Sequence, residues 1–227
     1  MKFTNSPTVE LEVGDKRLSF QQDNASMHVG TTVWPCSLVL SKFVERWVQH
    51  SSESPNRYSS FLKFANKRGI ELGTGCGVAG MAFYLMGLTD IILTDIAPVM
   101  PALKHNLKRN KQVLGRMLKS GILYWNNRAQ MEGFGLPFDF VIAADVVYIE
   151  DSVSQLVGAI DALLADDGVL LLGYQVRSPE AHKLFWEMSE KTFEIRLVPR
   201  EDLHPDYAYE EANVYIFRKR AMEEAVE

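Results

Sequence analysis

One short stretch limits the fold more than any other. The apolar run Arg68 to Leu72 leads into Gly73-Thr74-Gly75-Cys76-Gly77 and then into a small-residue helix, Val78 to Met86. A strand that enters a glycine-rich turn and leaves it as a helix is the opening unit of a parallel α/β sheet. The alternation continues from there. Ile91 to Asp95 reads as a second strand, Ala97 to Gln112 as a helix, Gly121 to Trp125 as a third strand, and Phe138 to Ala144 as a central strand covered on both faces. Ser152 to Leu164 has helical spacing, Asp167-Gly168 turns into the buried strand Val169 to Tyr174, Ala181 to Glu190 is a helix, and Phe193 to Val198 and Val214 to Arg218 end the series as strands. Short connections with right-handed crossovers then give a doubly wound, mostly parallel seven-stranded sheet with helices on both faces.

Ahead of this unit, Val9 to Val13 and Arg17 to Gln22 flank Gly14-Asp15 as a hairpin, and Val33 to Val48 repeats apolar residues at helical spacing with Pro35 in its first turn. His50 to Ser60 reads as a surface loop and the final AMEEAVE as a solvated tail. The expected organisation is an extension over residues 1–60 that covers the ligand site and a main domain over 61–227, forming one compact unit. At 227 residues and 47% hydrophobic content such a core is affordable, and no apolar run is long enough to span a membrane. Lys and Arg number 24 against 29 Asp and Glu, a net charge of −5, so nucleic-acid binding by bulk charge is not expected. Two cysteines, Cys36 and Cys76, give no disulfide framework or zinc spacing, and the five histidines are scattered, so no metal is expected. A reducing setting follows: cytoplasmic, with the nucleus as an alternative.

Gly75, Gly77 and Gly80 satisfy GxGxxG and Asp95 follows Gly75 by 20 residues, which formally meets the dinucleotide fingerprint. Glu71, two residues before the first glycine, argues the other way. An anion there opposes a pyrophosphate but helps a cationic ligand such as S-adenosylmethionine (SAM), with its sulfonium and amino group. Asp95 suits the two hydroxyls of a ribose, which either ligand presents, and its alternative is a helix cap ahead of Pro98.

The ordered series Glu71 to Gly77, Ile91 to Asp95 and Phe138 to Tyr148 resembles the seven-β-strand SAM-dependent methyltransferases. More narrowly, Val33-Trp34-Pro35, Trp125 and the Asp145-Val146-Val147-Tyr148 tetrad resemble the methyltransferase-like protein N-lysine methyltransferases (methyltransferase family 16), marked by a DxxY motif after the fourth strand. The resemblance runs from about Gly30 to Tyr174. It implies a Rossmann-like methyltransferase fold, SAM as cofactor with S-adenosylhomocysteine as product, and a lysine-bearing protein as acceptor. Trp34 would lie against the cofactor; Glu71, Gly73, Thr74 and Gly75 would form its loop; Asp95 would hold the ribose; Trp125 would flank the adenine; Ala144 would touch the cofactor. Each tryptophan has core packing as its alternative.

Methyl transfer from a sulfonium is an in-line displacement, and a lysine with a pKa of about 10.4 must first lose its proton. Asp145 is the candidate that orients the amine and favours proton departure, and Tyr148 the candidate acceptor wall; a cap or structural carboxylate is the alternative for Asp145. Cys76 reads as a small filler residue. The run Lys104, Lys108, Arg109, Lys111, Arg116 and Lys119 reads as a solvated helix face, with an acidic protein or RNA as the alternative contact. The absence of an NPPY-type strand end disfavours amide or adenine-amino methylation. The rival readings are a methyltransferase for a small molecule or another protein atom, an NAD-binding oxidoreductase, and a non-catalytic SAM-fold binding module. A monomer is expected. After Tyr174 the resemblance fades, and the acidic residue often found near an arginine there is represented only by a displaced Glu180.

Overall fold

In the middle strand, Phe140 and Ile142 bury their side chains on one side of the sheet and Val141 and Ala143 on the other, the period of two that a strand imposes. The computed structural model describes residues 4–49 and 56–221. Its strands are β1 (Thr8–Val13), β2 (Lys16–Gln21), β3 (Arg68–Leu72), β4 (Asp90–Asp95), β5 (Lys119–Ile122), β6 (Phe138–Ala144), β7 (Leu164–Tyr174), β8 (Phe193–Leu197) and β9 (Asn213–Lys219). The helices are α1 (Pro35–Gln49), α2 (Val78–Leu85), α3 (Met100–Arg109), α4 (Lys111–Leu114), α5 (Arg128–Gly133), α6 (Glu150–Leu163) and α7 (Pro179–Thr192).

The main sheet has the order β5-β4-β3-β6-β7-β9-β8. β5, β4, β3, β6 and β7 are parallel, and β9 is antiparallel to both neighbours. Chain order reverses between β3 and β6, so the crevice outside their carboxyl ends is where such a sheet binds a ligand. One apolar layer packs α1 to α4 and the hairpin against one face; a second packs α5, α6 and α7 against the other.

The β1–β2 hairpin pairs only with itself in the sheet sense, and an isolated two-stranded ribbon is marginal in water. Two asparagines one helical turn apart supply the missing partner. Asn106 accepts from Gln21 N at 2.8 Å and donates to Gln21 O at 3.1 Å; Asn110 does the same with Ser19 at 2.8 and 2.9 Å. Their amides replace the peptide groups of a third strand.

The expected elements are present, with local differences. The helix read over Ala97 to Gln112 begins at Met100 and is interrupted at Asn110, the buried residue committed to Ser19. The strand expected over Gly121 to Trp125 lies at Lys119–Ile122, since its ladder with β4 ends at Asp95↔Ile122. Trp125 is therefore in the following loop, not at a strand end. The short helix α5 went unread in the sequence; Asn127 caps it, its Oδ1 accepting from Gln130 N at 3.1 Å. The final strands begin and end within a residue of expectation. Residues 50–55 of the expected loop and 222–227 of the expected tail lie outside the described residues.

Candidate functional site

A cavity of about 500 Å³ opens at the carboxyl ends of β3, β4 and β6. All ten residues singled out in the sequence as cofactor-binding or catalytic candidates line it. The N-terminal segment supplies one wall: its turn at Val29–Thr31 and Trp34 face the glycine loop. That wall is tied down by Asp23 N to Thr31 O at 2.9 Å and Val33 N to the Gln22 side chain at 2.7 Å.

Backbone geometry explains the glycines. Gly73 and Gly75 have φ of +61° and +56°, a region costly for other residues. A side-chain carbon on Gly75 would sit 2.8 Å from the carbonyl oxygen of Gly30, so the loop and the N-terminal wall meet only because position 75 is bare. Asp95 finishes this loop: one carboxylate oxygen accepts from Gly75 N and the other from Ile96 N, each at 2.8 Å. Burial pushes its pKa up, opposed by these two backbone bonds. Asp95 does not cap α3, whose cap position is Val99 without a side-chain bond.

Glu71 behaves differently from the reading that gave its charge to the ligand. It is almost fully buried, and its Oε2 accepts from Thr74 Oγ1 and, at 3.0 Å, from Gly80 N. Burial raises its pKa to about 8, only partly countered by these bonds. It is thus largely protonated at neutral pH and latches the loop to α2. The proton it takes up on folding sets a sign. The stability linked to Glu71 is full below its ordinary pKa of 4.5 and is lost as the pH rises from there through about 8. Glu71→Gln should therefore flatten the fall in melting temperature over that pH window, measured by thermal denaturation across the range.

The DxxY segment leaves β6 through Asp145, a non-glycine residue at φ +62°. Such strain persists only where surroundings enforce it, and here they do. Asp145 N donates to Gly173 O at 2.9 Å. Its two carboxylate oxygens are gripped by Arg177, with Nε to Oδ1 at 2.9 Å and Nη2 on Oδ2. The side chains are only 4% and 19% exposed, so the fork is a partly desolvated charge pair. The Arg177 guanidinium lies 4.9 Å from the Trp34 ring centre, and the Trp34 indole N–H donates to Val29 O at 2.9 Å. Three loops, before α1, after β6 and after β7, are thereby joined. Asp145 is not a helix cap, because α6 takes Ile149 at that position. Tyr148 is 40% exposed at the mouth; burial first, then Asp95 and Asp145, push its pKa up, so it stays a neutral phenol.

Arg177 was not singled out from sequence. The signal available was position, three residues beyond the end of β7, where other strands of this sheet place their site residues. Ile96, Tyr124, Ile149 and Gln155 also line the cavity unforeseen. Cys76 is buried against Gln21 O and Gly30 O, its thiol pushed to about 12 by burial, and so is unreactive filler. Among the described residues no three His, Cys, Asp or Glu side chains are grouped to hold a metal.

The donor set can be tested against the two ligand classes. Glu71, Asp95 and Asp145 line the cavity, and no lysine or arginine does. With Glu71 largely protonated and Asp145 paired with Arg177, the free anion is Asp95. A pyrophosphate would meet that carboxylate with no lysine or arginine in the lining, whereas a ribose diol is matched by Asp95 and a sulfonium by the aromatic lining. The residues fit SAM.

The whole fold matches solved methyltransferases. A TehB-like SAM-dependent methyltransferase from Corynebacterium glutamicum superposes with a TM-score of 0.52 at 19% identity, over 80% of this chain and 98% of that one. In sequence, the chain is 24% identical over 200 residues to protein N-lysine methyltransferase METTL21A of Danio rerio, covering 87% of this chain and 85% of the relative. It is 28% identical over 211 residues to EEF1A lysine methyltransferase 3 of Mus musculus, covering 92% and 80%. The sequence model described as lysine methyltransferase matches residues 12–192.

Proposed function

The chain belongs to the lysine methyltransferase family, and from that premise we infer that it transfers a methyl group from SAM to the ε-amine of a lysine in a protein substrate. When bound, SAM supplies an electrophilic methyl group on a sulfonium. The observation that carries the reading is the single cavity at the sheet's reversal point that joins the glycine loop and Asp95 to the Asp145–Tyr148 segment.

The protein's residues divide the work as follows. Gly73, Thr74 and Gly75 hold the cofactor by backbone, Asp95 accepts from its ribose, Trp125 flanks its base, Ala144 touches it just before the DxxY segment, and Trp34 covers it from the N-terminal wall. Asp145 accepts an N–H of the acceptor amine on a lone pair that Arg177 leaves open, and Tyr148 forms the wall beside it. An ammonium entering such a partly apolar mouth loses its proton more readily. An unpaired carboxylate would hold that proton in place. Because the Arg177 fork already balances Asp145, the carboxylate orients the amine without strongly restoring its charge. The N-terminal residues 1–60 act as cover to a methyltransferase unit over 61–227, and the protein works as a cytoplasmic monomer.

Incubation with methyl-labelled SAM and a cell extract, followed by acid hydrolysis, should place the label in methyl-lysine of protein. Label confined to small molecules, or none at all, overturns the assignment.

A further inference from the structure

The sign of the surface changes abruptly along this chain. Between Ile96 and Met131 there are seven Lys or Arg and no Asp or Glu, while the remaining chain carries 17 against 29. A segment of +7 is thus set in a body of −12. Its inward positions, Met100, Leu103, Asn106, Leu107 and Leu114, are buried, which turns Lys104, Lys108, Lys111 and Arg116 to solvent. Nearby carboxylates are already engaged: Glu10 and Glu12 with Arg17, Asp15 with Lys16, and Asp90 with Lys119 and Arg68. None of the four outward cations has an ion-pair partner among the described residues. The face begins at the cavity itself, since Ile96 and Val99 line it just before α3. Lys104 to Lys111 then extends roughly 10 Å along the flank at 1.5 Å per residue. Half-exposed Met117 and Ile122 adjoin it at edge strand β5.

We propose that this α3–α4 face docks an acidic patch on the protein substrate, beside the lysine that enters the cavity. It rests on the methyltransferase reading above. A protein is favoured over RNA because no exposed Trp, Tyr or Phe on α3, α4 or β5 offers a stacking platform.

The test is the quadruple substitution Lys104→Glu, Lys108→Glu, Lys111→Glu, Arg116→Glu, assayed with methyl-labelled SAM and extract protein. At low salt the variant should label the wild type's principal substrate roughly tenfold more slowly, with SAM affinity unchanged by calorimetry. The Lys→Arg triple exchange at 104, 108 and 111 should restore wild-type labelling. A lysine-free polyglutamate peptide should inhibit wild type and not the variant, and added salt should erase the difference. Equal labelling by wild type and variant overturns the proposal, as does stronger inhibition by a poly(U) oligomer than by polyglutamate. Should wild type label no protein, the reading of function fails instead. Anisotropy of the fluorescent polyglutamate peptide, which needs no turnover, then decides the docking face: binding lost in the variant supports it, and no binding to wild type overturns it.

Discussion

Gly73→Arg is expected to abolish SAM binding. The backbone there sits at φ +61°, and a side-chain carbon would lie 2.8 Å from Val146 and 3.6 Å from the Trp125 ring. The longer chain has nowhere to extend except across the cavity, while its first carbon displaces the residue next to Asp145. Asp95→Ala acts on the same loop by subtraction. It removes the acceptor for Gly75 N and for the ribose, and hydrogen bonds to an ionised group are worth roughly 1.5–3 kcal/mol, so affinity should fall by roughly one to two orders of magnitude. Calorimetry with SAM measures both, with circular dichroism to show that the fold persists. Binding unchanged in both variants would remove the glycine loop from the cofactor site.

The second large effect concerns the fork between Asp145 and Arg177. Asp145→Asn keeps the shape but loses the charge, leaving Arg177 unbalanced in a partly desolvated position. Methyl transfer should drop by roughly two to three orders of magnitude, with SAM affinity within a few-fold of wild type. Arg177→Ala does the opposite and leaves Asp145 an unpaired carboxylate beside the acceptor. That charge stabilises the lysine ammonium and raises its pKa, so the rising limb of kcat/KM against pH should move to higher pH. Arg177→Lys keeps a charge but not the planar fork, and should recover the pH profile better than the rate. A merely structural role for Arg177 would lower activity at all pH values alike. An unshifted profile in Arg177→Ala would show that the fork does not tune the acceptor.

Much of the site was legible because a parallel sheet gives its strand ends a common address. Once the run Phe138 to Ala144 is read as a central strand, the residue after it must emerge beside the ends of the strands finishing at Leu72 and Asp95. Trp34 was legible through the Val33-Trp34-Pro35 element of the family resemblance, its place before an apolar helix favouring core packing instead. Trp125 was placed in the site correctly but on the wrong element, because strand length depends on where the neighbouring ladder stops, and that is a property of β4. The role assigned to Glu71 failed for a related reason. Its charge was inferred from residue type, but burial of the side chain decides whether a carboxyl at that position is ionised at all.

Period and order, carried in the linear chain, determined the α/β alternation, the glycine loop and Asp95 at the next strand tip, by local rules of pleat, turn and crossover that need no knowledge of distant partners. Trp34, Trp125, Ala144 and the Asp145–Tyr148 tetrad were picked out by family resemblance, and the switch point between β3 and β6 by the sheet order itself. Only the tertiary structure decided the partnerships: Asn106 and Asn110 standing in for a strand along β2, Glu71 latching α2, and Arg177 reaching across 32 positions to Asp145 and onto Trp34. Charge balance and desolvation depend on which groups the fold brings within a few ångströms, and sequence spacing does not contain that distance.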